Sequence, residues 1–186
     1  MQVTADKFIT QKESTRLFKT MLAHQGTKAS LVEYHLYKLL SLTGLRISEA
    51  LTLRWEDILE DHLIIRAENS KNGKRGTVVL GKQAQALISA FKGLNPYPSL
   101  PYLFNTQKGP MSRIHAHTRL KYWLSVSGLR NTITCHSFRH SYATQALDAG
   151  ISLALVKEQL RHSNISVTSS YLHHTQASLE KLRECF

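Results

Sequence analysis

Cysteine is scarce in this chain, and its scarcity excludes two common ways of stabilising a small fold. The 186 residues include two cysteines, Cys135 beside a histidine and Cys185 at the penultimate position. Two thiols are too few for a disulfide framework, and neither stands in a C-x-x-C pair of the kind that binds zinc. We therefore expect reduced thiols and no metal site.

Long apolar runs are also absent. No segment approaches the roughly 20 apolar residues of a membrane span. The N-terminal stretch MQVTADKFITQKESTRLF lacks the apolar core of a signal peptide. These absences predict a soluble cytoplasmic protein with no membrane partner.

Acidic residues are few, and this shortage indicates the kind of partner. The chain has 24 Lys and Arg against 13 Asp and Glu, a formal net charge of +11. Such an excess favours a polyanionic partner, with nucleic acid as the leading candidate. Charge alone does not identify it, because many basic proteins bind nothing specific. The length suits one domain with a substantial core.

Hydrophobic periodicity predicts a largely helical chain. Thr10 and Glu13 form a capping box before an amphipathic segment, so the first helix begins there. A second helix is predicted over Leu31–Leu42, with Gly44 at its left-handed end. Further helices are predicted over Lys82–Phe91, His115–Val126, Phe138–Ala149 and Ser152–Leu160, with a short turn or helix at Val167–Leu172 and a tail from Gln176.

One region has the pattern of strands instead. Leu63–Ile65 and Thr77–Leu80 are β-branched or aliphatic runs on either side of a polar, glycine-bearing turn. They predict a β-hairpin with basic residues at its tip. The proline-rich loop at 96–101 is expected to separate two halves of one domain.

Three short motifs carry the chemistry. They are Thr43-Gly-Leu-Arg46-Ile-Ser-Glu49, His136-Ser-Phe-Arg139-His140, and Leu160-Arg-His162 with Tyr171 nine residues later. Together and in this order they resemble the tyrosine recombinase (phage integrase) family, over residues from about 8 to 175. The resemblance implies the family's catalytic-domain fold, an α+β domain that is mainly helical and has a small antiparallel β-hairpin.

The resemblance also implies a domain organisation and a cellular setting. It predicts a catalytic domain over 1–175 and a C-terminal tail helix over 176–186. The N-terminal core-binding domain of most family members is absent from the sequence, so the chain is either a fragment or a compact single-domain member. The protein is expected to be prokaryotic and nucleoid-associated.

The four polar candidates suit a phosphodiester under attack. Arg46 and Arg139 offer bidentate N–H donors that stay protonated at any working pH, while His136 and His162 add hydrogen bonds and proton transfer. Loss of one such group is expected to cost about 3 to 4 kcal/mol of transition-state stabilisation. By the resemblance, Tyr171 is the nucleophile that forms a 3′-phosphotyrosine. No cofactor is required.

The hairpin supplies the remaining catalytic candidate. Family members protonate the departing 5′-oxygen with a hairpin lysine, and Lys71 holds that place here. Lys74, Arg75 and Arg161 are predicted to contact DNA. The partner is expected to be double-stranded DNA with specific recombination sites, bound by a homo-tetramer that is monomeric in solution, with the tail docked on a neighbouring protomer.

One position departs from the family pattern. Family members usually have Leu-Gly-His where this chain has Leu160-Arg161-His162, so a side chain replaces glycine and the local packing is expected to differ. Glu49 is expected to pair with a nearby cation.

Simpler interpretations stay open for several residues. His136 and His140 have the spacing of a metal pair, but Ser137 stands where the glutamate of H-E-x-x-H would be. Tyr171 suits a buried aromatic, and His173 and His174 are better explained as solvated histidines than as bases. For the whole chain, the rivals are a type IB topoisomerase and a DNA-binding regulator with a silenced site.

Overall fold

The computed structural model describes residues 8–69 and 73–161, and it is mainly helical. In the described part the helices are α1 (Gln11–Ala23), α2 (Lys28–Thr43), α3 (Ile47–Thr52), α4 (Lys82–Leu94), α5 (Arg113–Val126), α6 (Cys135–Asp148) and α7 (Leu153–Leu160). The strands are β1 (His62–Ile65), β2 (Gly76–Val79), β3 (Asn105–Thr106) and β4 (Gly109–Pro110). The expected mainly helical α+β class is confirmed.

Local capping signals determine where the first two helices begin and end. The Thr10 side chain accepts from the Glu13 backbone N–H, and the Glu13 carboxylate accepts from the Thr10 N–H, as the capping box predicts. Gly44 ends α2 with φ +67°, the left-handed region that glycine enters without a Cβ penalty. The short helix α3 was not predicted, because six residues show too little periodicity to be recognised.

The predicted hairpin is present. Strands β1 and β2 pair antiparallel, with Ile64 opposite Thr77. A second antiparallel pair, β3 with β4, was not predicted, since strands of two residues show no alternation. The hairpin turn at 70–72 lies outside the described residues.

The main hydrophobic core continues across the proline-rich loop. Phe91 precedes that loop, Trp123 and Phe138 follow it, and all three are buried in one cluster. The segments before and after this loop therefore share one core, which is compatible with two halves of one domain. Trp55 is only partly buried, at the edge of this cluster. A smaller cluster joins α6 to α7.

Helix α2 lies at the centre of this arrangement, in contact with α1, α4 and α6. It carries a fully buried carboxylate, Glu33, which accepts from Arg119 Nε at 2.6 Å and from Trp123 Nε1 at 2.6 Å. A buried charge persists only when paired in this way. These contacts hold α5 against α2, and the C-terminal end of α2 leads directly to the first motif. Within the described ranges, no helix is long and apolar enough to cross a bilayer.

Candidate active site

The turn after α2 places the first arginine. A Cβ added at Gly44 would lie 2.6 Å from Leu160 Cδ2 and 2.8 Å from a Tyr142 ring carbon. Glycine is therefore needed here for two reasons, its left-handed backbone and the close approach of α6 and α7. Two residues later, Arg46 is the N-terminal cap residue of α3, with 21% of its side chain exposed.

Arg139 joins the three motifs. Its side chain is 2% exposed. One guanidinium nitrogen, Nη1, donates to the Gly44 carbonyl at 2.7 Å, and Nη2 donates to the Leu160 carbonyl. Gly44 stands two residues before Arg46, and Leu160 stands two residues before His162. A single buried fork thus connects the end of α2 with the end of α7.

His136 lies one helical turn before Arg139 on α6 and is exposed. Its ring meets that of His140 edge to face, with centroids 4.4 Å apart. Partial desolvation by the surrounding protein lowers the pKa of His136, and the positive charges of Arg139 and Arg46 lower it further. Arg139 follows one turn later on the same helix and donates to the carbonyl of Gly44, two residues before Arg46, so the imidazole lies near both arginines. The lowered pKa keeps the imidazole mainly neutral at pH 7.

Glu49 neutralises part of this positive charge. Its carboxylate is 1% exposed and accepts from the Arg46 backbone N–H at 2.9 Å and from Arg46 Nη1 at 2.8 Å. It also accepts from Arg161 Nη2. The expectation that Glu49 pairs with a cation is confirmed, with two cations sharing one carboxylate.

Arg161 occupies the position where the family usually has glycine, and its backbone is left-handed, with φ +51° and ψ +50°. Among the described residues, Arg161 is the one with a side chain whose φ is positive; the others are glycines. Its side chain is 13% exposed and reaches inward to Glu49. The expected difference in local packing from other family members stays a prediction. Burial lowers the pKa of Arg161, whereas Glu49 opposes this shift. Contact of Arg161 with DNA stays a prediction.

The other predicted residues divide into two groups. Lys74 and Arg75 follow the hairpin turn and are exposed. Lys71, His162 and Tyr171 lie outside the described residues, as do the predicted elements after Arg161. The structure therefore brings Arg46, His136 and Arg139 together, and the rest of the catalytic set stays a prediction.

Over residues 8–69 and 73–161, no group of three or more His, Cys, Asp or Glu side chains is placed to hold an ion. Cys135 is buried beside the site, and burial raises the pKa of its thiol to about 12. A thiol with that pKa is protonated and unreactive at neutral pH.

One positioning residue was missed in the sequence. Gln159 on α7 accepts from the Val79 N–H and donates to the Val79 carbonyl, both at 3.0 Å. Its amide thus pairs with β2 as another strand would, and it attaches the hairpin to the helix that leads to His162. No local pattern signals a contact between residues 80 positions apart.

Comparison with known proteins identifies the family of this chain. The model of the phage integrase family matches residues 7–178, nearly the whole chain. The chain belongs to the phage integrase family. Among curated members of that family, tyrosine recombinase XerD of Corynebacterium glutamicum is 35% identical over 162 residues, covering 84% of this chain and 53% of that protein. XerD of Oceanobacillus iheyensis is 31% identical over 188 residues, covering 96% of this chain and 61% of that protein.

Solved structures of tyrosine recombinases share the fold of this integrase-family chain. The XerA recombinase superimposes with a TM-score of 0.78 at 19% identity, covering 94% of this chain and 61% of its own. The XerH recombinase bound to its palindromic difH substrate superimposes with a TM-score of 0.77 at 24% identity, and the match covers 97% of this chain and 53% of the XerH chain. The chain thus spans little more than half the length of these relatives.

Proposed function

We propose that this integrase-family domain cuts and rejoins DNA at specific sites through a covalent bond between Tyr171 and a 3′-phosphate. The supporting observation is the fork of Arg139, which holds the turn before Arg46 and the end of α7 before His162. His136 is one turn away on the same helix. Arg139, His136 and the residues that precede Arg46 and His162 therefore converge on one place.

The chemistry follows from the charge on a phosphodiester. Attack by the Tyr171 oxygen forms a P–O bond and breaks the bond from phosphorus to the 5′-oxygen, with negative charge building on the non-bridging oxygens. Guanidinium donors of Arg46 and Arg139 stabilise that charge, because a guanidinium stays protonated at any working pH and can donate two N–H groups side by side to phosphate oxygens.

Two proton movements complete the cleavage. The phenol loses its proton, for which the neutral imidazole of His136 is a suitable acceptor. The departing 5′-oxygen takes a proton from Lys71. Attack by a 5′-hydroxyl of another strand then reverses these steps and joins the new partner, so the ester conserves the bond energy and no ATP is required.

DNA binding is supported by the charge and by the neighbours. Lys74 and Arg75 are exposed on a chain of net charge +11, where they suit contacts to the phosphate backbone. The similar XerH was solved on its difH substrate. We further propose a homo-tetramer on double-stranded DNA, monomeric without it, in which the 176–186 tail of the 1–175 catalytic domain docks on a neighbouring protomer.

A covalent trap tests the cleavage step. The motifs do not identify which bases the protein contacts, so the probe is a pool of nicked DNA duplexes in which the half-site sequence is randomised. We expect wild-type protein to form an adduct that survives denaturation, and Tyr171→Phe to bind the recovered sequences without forming it. An adduct that persists in Tyr171→Phe would contradict the assignment.

The recovered sequence then separates recombination from its rival. We expect strand exchange between two recovered sites, on a complex that light scattering sizes as four protomers. Relaxation of supercoiled DNA with no exchange would instead indicate a topoisomerase-type reaction, and binding without any adduct would indicate a regulator with a silenced site.

A further inference from the structure

Arg161 is the residue that the proposed chemistry leaves unexplained. Arg161 has a left-handed backbone, which residues other than glycine adopt at a cost in conformational free energy. We therefore expect a contact of the side chain that compensates for this cost. The contact that the structure shows is the ion pair with Glu49, 112 residues away in sequence. The left-handed position thus places the guanidinium of Arg161 beside Glu49.

The Arg161 side chain passes close to the start of strand β2. A Cβ added at Gly76, the first residue of β2, would lie 2.8 Å from Arg161 Cδ. The absence of a side chain at Gly76 therefore leaves room for the arginine. Nε and Nη1 of Arg161 are buried and have no partner among the described residues, which leaves two N–H-bearing nitrogens of this cation without an acceptor.

The charges at Glu49 show what the arginine changes. Without Arg161, the buried carboxylate would oppose Arg46 alone, and the pair would carry no net charge. With Arg161, two guanidinium groups share the carboxylate, so the group of three carries a net positive charge. An attractive potential for a phosphate close to Arg46 therefore depends on Arg161.

We propose that Arg161 is a positioning residue of the phosphate site. By sharing Glu49, it leaves the charge of Arg46 available to the scissile phosphate. Arg161 thereby takes an electrostatic role that glycine at this position could not have. This inference rests on the proposed function, since it concerns the same phosphate.

The test compares a charged with a neutral phosphate. Wild type, Arg161→Gly and Gln159→Ala are each given the recovered half-site duplex with either a natural or a methylphosphonate group at the scissile position, and the single-turnover rate of adduct formation is measured. Glycine suits the left-handed backbone, so Arg161→Gly is expected to fold. Gln159→Ala is the matched control, because it loosens the same contact between α7 and β2 without changing charge.

We expect Arg161→Gly to slow cleavage of the natural phosphate about tenfold, less than the loss of a direct oxyanion donor, because its effect acts through Arg46. On the methylphosphonate the penalty should nearly vanish. Gln159→Ala should affect both substrates alike. If Arg161→Gly slows adduct formation equally on both substrates, or on neither, the electrostatic role of Arg161 is overturned while the proposed function stands. If wild type forms no adduct with the natural phosphate, the proposed function fails and this inference fails with it.

Discussion

The two arginines of the site should differ sharply in what they contribute to folding. Arg139 is 2% exposed and donates to the carbonyls of Gly44 and Leu160. Hydrogen bonds from a charged group contribute about 1.5 to 3 kcal/mol each, and both acceptors would lose their partner. We therefore expect Arg139→Ala to lower the free energy of unfolding by about 3 to 5 kcal/mol.

Arg46 makes a weaker contribution to stability. Its side chain is 21% exposed, and its ion pair with Glu49 spans three residues of one turn. Such partly exposed pairs contribute up to about 1 kcal/mol. When Arg46 is removed, Glu49 keeps Arg161 as a partner and is not left as an isolated buried charge. We therefore expect Arg46→Ala to cost about 1 kcal/mol or less.

Urea unfolding measures this difference. The fluorescence of Trp55 and Trp123 reports the transition, and the variants should share one m value so that their midpoints are comparable. In the adduct assay, both variants are expected to lose about 100-fold or more in cleavage. Equal losses of stability would refute the reasoning that Arg139 also holds the motifs together whereas Arg46 contributes little to the stability of the fold.

Two further outcomes follow from the surroundings of His35 and Gly44. Burial lowers the pKa of His35 below its usual value of 6.5, so the free energy of unfolding should fall as the pH decreases below 6.5 and the unfolded chain takes up a proton that the folded chain does not. His35→Phe should flatten this decline in urea titrations between pH 7.5 and 5. An unchanged slope would contradict the role of His35. Gly44→Ala should lower the free energy of unfolding by more than about 2 kcal/mol, because the left-handed backbone disfavours alanine and the added Cβ would overlap Leu160 and Tyr142. A melting temperature within about a degree or two of the wild-type value would count against that packing.

Local signals explain why much of the fold was predictable. The capping box at Thr10 and the glycine stop at Gly44 act within one helical turn, so the sequence contains all the groups involved. The β1–β2 pairing is also local, since a short turn connects its strands. The elements that escaped prediction, α3 and the β3–β4 pair, are too short to show a period.

The sequence by itself supplied the candidate side chains for the chemistry: two arginines, two histidines, a lysine and a tyrosine, in an order that matches one family. Only the tertiary structure decided how the described ones, Arg46, His136 and Arg139, are held. The fork of Arg139 on Gly44 spans 95 residues, and the sharing of Glu49 with Arg161 spans 112. Contacts at such separations depend on how the buried faces of α2, α6 and α7 pack together, and no neighbouring residues encode that packing.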